Sequence, residues 1–114
     1  MRILVVEDNL DAQAALCDLL SMLDYHAVGV ETAEDALKEI ANFDILLTDI
    51  NLPGMNGLEL AHKIKLVDPS KPIIISSGMD ISADINIDVL TLSKPFSAVI
   101  LTEVLEKAKN LANL

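Results

Sequence analysis

Acidic, hydroxyl and lysine side chains recur in this chain at the ends of short apolar runs. Glu7 and Asp8 directly follow one run, and Asp49 ends another. Ser77 ends a third run, and Lys94 follows a fourth after a single serine. One Asp before a loop is most often a turn former or a helix cap. The repeated arrangement is what indicates a shared site.

These residue types suit phosphoryl transfer beside a metal ion. Carboxylates gathered in one crevice repel each other unless a cation is present, and an all-oxygen site with room for water suits Mg²⁺. A carboxylate such as Asp49 can also be a nucleophile that forms an aspartyl phosphate. Such transfer needs a metal, a fixed ammonium and a hydroxyl donor, which Lys94 and Ser77 can supply together with the acidic residues.

Strands and helices alternate along the chain, and these elements must position the site. Short apolar or β-branched runs predict five buried strands, at Ile3–Val6, Ala27–Val30, Ile45–Asp49, Pro72–Gly78 and Val89–Leu92. Apolar residues at helical spacing predict helices over Leu10–Leu23, Ala33–Ala41, Leu58–Val67 and Ser97–Leu111. From Gly78 to Asp88 we expect only a short, irregular fourth helix, because its Asp, Ser and Asn residues favour helices weakly.

Five alternations of strand and helix predict a doubly wound α/β fold with a parallel sheet. Helices then cover both faces, and the carboxyl ends of all strands meet at one edge, where such sheets bind ligands. We therefore expect Glu7, Asp8, Asp49, Ser77 and Lys94 to lie together there.

The composition narrows the class of protein. We expect one domain spanning residues 1–114, with an aliphatic core, since 52% of residues are hydrophobic and only 3% aromatic. The net charge of −10 argues against nucleic acid or an anionic membrane as a direct partner. One cysteine, no signal-peptide pattern and no membrane-length apolar run favour a cytoplasmic location.

Four motifs, in this order, resemble the receiver domain of bacterial two-component response regulators, a flavodoxin-like family. The resemblance runs essentially from Arg2 to Asn110. It implies a five-stranded (βα)₅ sheet with strand order 2-1-3-4-5. The motifs that carry it are Val5–Asn9, Thr48–Gly57, Ile74–Gly78 and Ser93–Phe96.

The resemblance also implies roles for single residues. Asp49 would be the phosphoacceptor, Asp8 a direct Mg²⁺ ligand and Glu7 a ligand through water. Asn51 would offer its backbone carbonyl to the metal.

Two further positions match the family, and one departs from it. Ser77 takes the place of the family's Ser/Thr switch, although Ser76 competes for that role. Lys94 would contact the phosphoryl group and precede a proline that is typically cis, Pro95. The family usually has an aromatic residue or His three positions before the lysine, whereas this chain has Thr91.

The leading interpretation is a stand-alone phosphoacceptor switch, not an enzyme apart from catalysing its own phosphorylation and hydrolysis. It would receive the group from a histidine kinase or phosphotransfer protein and act by binding a downstream protein, as a monomer or a phosphorylation-dependent dimer. The alternative is a pseudo-receiver that binds partners without being phosphorylated. A flavin carrier is disfavoured, because the first strand leads into Glu7-Asp8-Asn9 and not into a hydroxyl- and glycine-rich phosphate loop. A phosphatase is disfavoured because no second acidic residue stands two positions beyond Asp49.

Overall fold

The fold is a five-stranded parallel sheet covered by helices on both faces. The computed structural model describes residues 1–78 and 87–112. The strands are β1 (Arg2–Val6), β2 (His26–Val30), β3 (Ile45–Asp49), β4 (Ile73–Ser77) and β5 (Leu90–Ser93). The helices described are α1 (Leu10–Met22), α2 (Ala33–Leu37), α3 (Gly57–Val67) and α4 (Ala98–Ala112). The sheet order β2-β1-β3-β4-β5 confirms the predicted doubly wound fold.

The first strand lies inside the sheet and pairs with two neighbours. Val6 is in register with Val30 of β2 on one side and with Thr48 of β3 on the other. The second strand thus lies on one side of β1, and all later strands lie on the other side. The direction in which strands are added to the sheet therefore reverses between β1 and β3. In sheets of this kind the carboxyl ends of the strands form a crevice at that point.

Alternate side chains of the inner strands face two separate apolar cores. One core lies under α1 and α4 and the other under α2 and α3. Because helices cover both faces, β3 and β4 carry almost unbroken buried runs, as the sequence predicted. The largest fully buried side chains are aliphatic, and those on the strands are Ile3, Ile45, Leu46, Leu47, Ile73, Ile74 and Ile75.

Side-chain caps fix where the helices begin, as α1, α2 and α3 show. Asn9 Oδ1 accepts from the N–H of Ala12 at 3.0 Å, and Thr32 Oγ1 accepts from the N–H of Asp35 at 3.0 Å. Asn56 Oδ1 caps α3 in the same way. Because Asn9 caps α1, the carboxylate of Asp8 is not needed as a cap.

The structure departs from the prediction at the second helix. The second helix ends at Leu37, and a short 3₁₀ turn at Ile40–Asn42 follows, because the chain turns there to bring Phe43 into the core. The helix predicted from Leu10 is present as α1, but Leu10 itself is 58% exposed. Leu20 is fully buried. Much of α1 instead borders an open cavity of about 630 Å³.

Two sequence predictions concern other parts of the chain. The short fourth helix expected between Gly78 and Asp88 falls on residues 79–86, which lie outside the described residues. Among the residues that are described, no helix is both long and apolar enough to span a lipid bilayer.

Candidate functional site

Three carboxylates converge where β1 and β3 end. Glu7, Asp8 and Asp49 each place one carboxylate oxygen within 4.8 Å of the other two. The side chains of Glu7 and Asp49 are only 12% and 11% exposed, whereas Asp8 is exposed. The group follows directly from the topology, since adjacent parallel strands bring their carboxyl ends side by side.

The ammonium group of Lys94 lies against this acidic cluster. Its Nζ is 3.1 Å from Asp49 Oδ2 and 3.8 Å from Glu7 Oε2. The main chain anchors the lysine, because its N–H donates to the carbonyl of Ser77 at 2.8 Å. The peptide bond from Lys94 to Pro95 is cis, as the resemblance implied.

Backbone contacts hold the Asp49 carboxylate at the end of β3. Its Oδ1 accepts from the N–H of Asn51 at 3.3 Å, so both of its oxygens have a donor. The next residue, Ile50, donates to the carbonyl of Ser76 at 3.0 Å and accepts from the N–H of Gly57 at 2.9 Å. A Cβ on Gly57 would overlap the Asp49 carbonyl, so glycine is required where α3 begins.

Burial and the groups around Glu7 shift its pKa in both directions. Loss of hydration on burial raises the pKa of Glu7 above its ordinary value, and the nearby Asp49 raises the pKa further. The N–H of Asn9, which donates to Glu7 Oε1 at 3.1 Å, and the charge of Lys94 lower the pKa but do not cancel the rise. The folded metal-free protein therefore carries an electrostatic penalty at this carboxylate.

The donor set fits a hard divalent cation. Three carboxylates and one ammonium leave about two uncompensated negative charges in a space no wider than 4.8 Å between ligand oxygens. Asp8 opens to solvent, so a bound ion there could keep part of its water shell, as Mg²⁺ prefers. The residues present are thus suitable for Mg²⁺.

Both serines at the end of β4 are buried beside the site. Ser76 is in register with Asp49, and together with Lys94 it borders the cavity next to α1. Ser77 is in register with Ser93 and holds Lys94 through its carbonyl. The switch role expected of Ser77, and the metal-binding carbonyl expected of Asn51, stay predictions.

Sequence reasoning missed one polar contact at the site. The side-chain amide of Gln13 donates to the carbonyl of Glu7, directly behind the acidic pair. The available signal was Gly29, since a glycine inside a strand often marks the close approach of another group. The side chain of Gln13 packs directly against Gly29 of β2.

A doubly wound sheet with a cluster of carboxylates and a lysine at the point where strand order reverses defines a narrow class of protein. The chain belongs to the response regulator receiver domain family, whose sequence model matches residues 3–106. It is 33% identical over 113 residues to the response regulator receiver protein CpdR of Brucella abortus, covering 93% of this chain and 94% of CpdR. The response regulator protein TrrA of Thermotoga maritima, solved in complex with Mg²⁺-BeF, is 31% identical. That comparison has a TM-score of 0.82 and covers 96% of this chain and 97% of TrrA.

Some relatives are much longer than this chain. A cyclic di-GMP phosphodiesterase of Thermotoga maritima is 32% identical over 80 residues, which cover 70% of this chain but only 22% of that protein. The region similar to this chain is therefore most of CpdR but a small part of the phosphodiesterase.

Proposed function

We propose that this receiver domain is a Mg²⁺-dependent phosphoacceptor switch, with Asp49 as the phosphorylated residue. The observation that carries the proposal is the 3.1 Å contact between Lys94 Nζ and Asp49 Oδ2 beside two further carboxylates. The likeness to TrrA, which binds Mg²⁺-BeF, supports it. Glu7, Asp8 and Asp49 would hold the ion, with the carbonyl of Asn51 as a further ligand.

The chain's own groups would act as follows. An oxygen of Asp49 attacks the phosphorus of a phosphohistidine or small phosphodonor, forming an O–P bond as the donor's bond to phosphorus breaks and its electrons leave with the donor. Lys94 exchanges its carboxylate contact for one to a phosphoryl oxygen, and the hydroxyl of Ser77 donates to another. Bound Mg²⁺ would neutralise charge on the phosphoryl oxygens. Water later attacks the phosphorus of the acyl phosphate, so that the bond from Asp49 to phosphorus breaks, inorganic phosphate leaves and the carboxylate is restored.

We further propose that the phosphoryl donor is a histidine kinase or phosphotransfer protein and that the output is binding to a downstream protein in the cytoplasm. The domain would thus catalyse only its own phosphorylation and hydrolysis. Either a monomer or a phosphorylation-dependent dimer is consistent with this role.

Phosphorylation by a small donor tests the proposal directly. The protein is treated with phosphoramidate, with and without MgCl₂, and its intact mass is measured. We expect one phosphoryl addition that requires Mg²⁺, persists in Asp18→Asn and disappears in Asp49→Asn. Asp18 is a matched control because it is an exposed aspartate on α1. If phosphoryl addition persisted in Asp49→Asn, another residue would be the acceptor.

Thermal melts test the metal separately. At a free Mg²⁺ concentration about ten times Kd, binding to the folded state stabilises it by roughly 1.4 kcal/mol. Melts in MgCl₂ should therefore lie above melts in NaCl of matched ionic strength. Coincident melts would mean that the carboxylates do not form a metal site.

The second candidate is a pseudo-receiver, and the observation that favours it is Thr91. Its side chain is exposed on β5, where the family usually has an aromatic residue or His. A protein that binds Mg²⁺ but takes no phosphoryl group from any donor would support this alternative.

A further inference from the structure

The side chain of Gln13 joins three elements at one point behind the acidic cluster. Its Nε2 donates to the carbonyl of Glu7 at 3.0 Å and to the carbonyl of Val30 at 2.9 Å. Carbonyls only accept hydrogen bonds, so the NH₂ group must face them, and both of its hydrogens are used. Gln13 therefore links the first turn of α1 to the ends of β1 and β2.

This contact fixes the peptide from which the acidic turn starts. The N–H of Glu7 donates to the carbonyl of Val30 at 3.1 Å, and its own carbonyl accepts from Gln13. A peptide unit is planar, so holding the Glu7 carbonyl also sets the direction in which the chain passes to Asp8. The carboxylates of Glu7 and Asp8 must both point toward Asp49 for the cluster to form.

Gly29 gives the amide room to reach this position. A Cβ on Gly29 would overlap the end of the Gln13 side chain and lie 2.7 Å from its Cγ. The φ of Gly29 is not in the left-handed region, so backbone conformation is not what requires a glycine there. The glycine weakens a strand that could have taken a β-branched residue, and the space it leaves is filled by Gln13.

We infer that Gln13 is a positioning residue for the Mg²⁺ site: its bridge orients the Glu7–Asp8 turn and so sets the affinity for the ion. This inference rests on the proposed function, because it needs the acidic cluster to bind Mg²⁺. Groups that orient metal ligands by hydrogen bonds, without touching the metal, typically lower metal affinity by about 10- to 100-fold when they are removed. A bridge that only fastened α1 to the sheet would change stability and leave the affinity alone.

Magnesium affinity and stability, measured on the same variants, separate these two roles. MgCl₂ is titrated into wild type, Gln13→Met and Gly29→Ala, with binding measured by calorimetry and stability by urea unfolding in EDTA. Gln13→Met keeps the length of the side chain without its donors, whereas Gly29→Ala displaces the intact amide. We expect each to weaken Mg²⁺ binding about ten-fold. Because both substitutions break the same bridge, the double variant should bind Mg²⁺ no more weakly than either single variant.

The control is Ile45→Val, which removes one buried methyl group at the other end of β3. It should lower stability and leave the Mg²⁺ dissociation constant at the wild-type value. In metal-free protein, the carbonyl ¹³C shifts of Glu7 and Val30 should move in Gln13→Met but not in Ile45→Val.

Each outcome has a distinct meaning. Should wild type itself bind no Mg²⁺, the proposed function fails and this inference falls with it. Should wild type bind Mg²⁺ while Gln13→Met and Gly29→Ala bind it equally well, only the positioning role is overturned. If Gln13→Met does not fold, Gly29→Ala alone decides between the two results.

Discussion

Replacing Asp8 by asparagine should stabilise the metal-free domain, although it removes part of the proposed metal site. The Asp8 carboxylate lies within 4.8 Å of oxygens of both Glu7 and Asp49. Among the described residues, Lys94 forms ion pairs with those two carboxylates and not with Asp8. The charge on Asp8 is therefore mainly repelled, and the neutral amide of asparagine ends that repulsion.

The distances give the size of the effect. Two like charges 4.8 Å apart repel by about 0.9 kcal/mol at the dielectric constant of water, and the exposure of Asp8 makes that the appropriate limit. Lys94 lies within roughly 8 Å of the Asp8 carboxylate, where its attraction is worth about 0.5 kcal/mol. Removing two repulsions and one weaker attraction should raise the free energy of unfolding by about 1 kcal/mol.

Urea unfolding in EDTA at neutral pH and low ionic strength measures this change. The control is Asp11→Asn, which also removes one exposed acidic charge. Asp11 lies in the first turn of α1, where the helix dipole favours a negative charge, so this variant should be less stable by about 0.5 kcal/mol. The two variants have the same net charge and should shift in opposite directions. Saturating Mg²⁺ should stabilise wild type and Asp11→Asn more than Asp8→Asn.

Two results would refute the reasoning. If Asp8→Asn were as unstable as Asp11→Asn, the carboxylates would not repel each other in the folded protein. If both variants were stabilised equally, relief of the overall charge of −10 would explain the gain without any acidic cluster.

Three other predictions follow from the site. Gly57→Ala should lower the free energy of unfolding by about 2 kcal/mol in urea, because its Cβ meets backbone at the end of β3 that cannot move aside; an unchanged midpoint would contradict that contact. The raised pKa of Glu7 means that the folded state favours its neutral form, so the stability present below the unfolded pKa is lost as pH rises through the folded pKa. In EDTA, Glu7→Gln should therefore flatten the dependence of the urea midpoint on pH across that window. Parallel pH curves for wild type and Glu7→Gln would be inconsistent with the raised pKa. Thr91→Tyr should leave the hydrogen-exchange response to the phosphoryl mimic beryllofluoride little altered, with changes centred on Asn51–Gly57 and Gly78–Asp88; a response centred on β5 and α4 would mean that the residue at position 91 takes part in the switch.

The strands and the acidic cluster could be predicted because both depend on local patterns. Apolar runs ending in polar residues mark buried parallel strands, and the topology then brings Asp8, Asp49 and Lys94 to one edge. The helix predicted from Leu58 begins one residue earlier, at Gly57, where Asn56 caps it.

Other features depend on contacts between distant segments. The side chain of Gln13 packs over Gly29, which lies 16 positions further along the chain. Gly29 signals that some group approaches closely, but nothing in the sequence shows that this group is Gln13. The extent to which α1 is covered also could not be read from its apolar stripe. Helical periodicity shows which face is apolar but not whether the neighbouring loops close over it.

The edge position of β5 has a consequence for how the site can come apart. In the described sheet β5 pairs only with β4, whereas β1 and β3 lie inside. Lys94 is attached to that edge strand, 45 residues beyond its partner Asp49. Edge strands open locally at lower free energy than inner ones, so partial opening would carry away the ammonium and leave the three carboxylates assembled. The lysine and the carboxylates of the site therefore depend on strands of different local stability. Amide exchange should be slower in β1 and β3, which carry the carboxylates, than in β5, which carries Lys94.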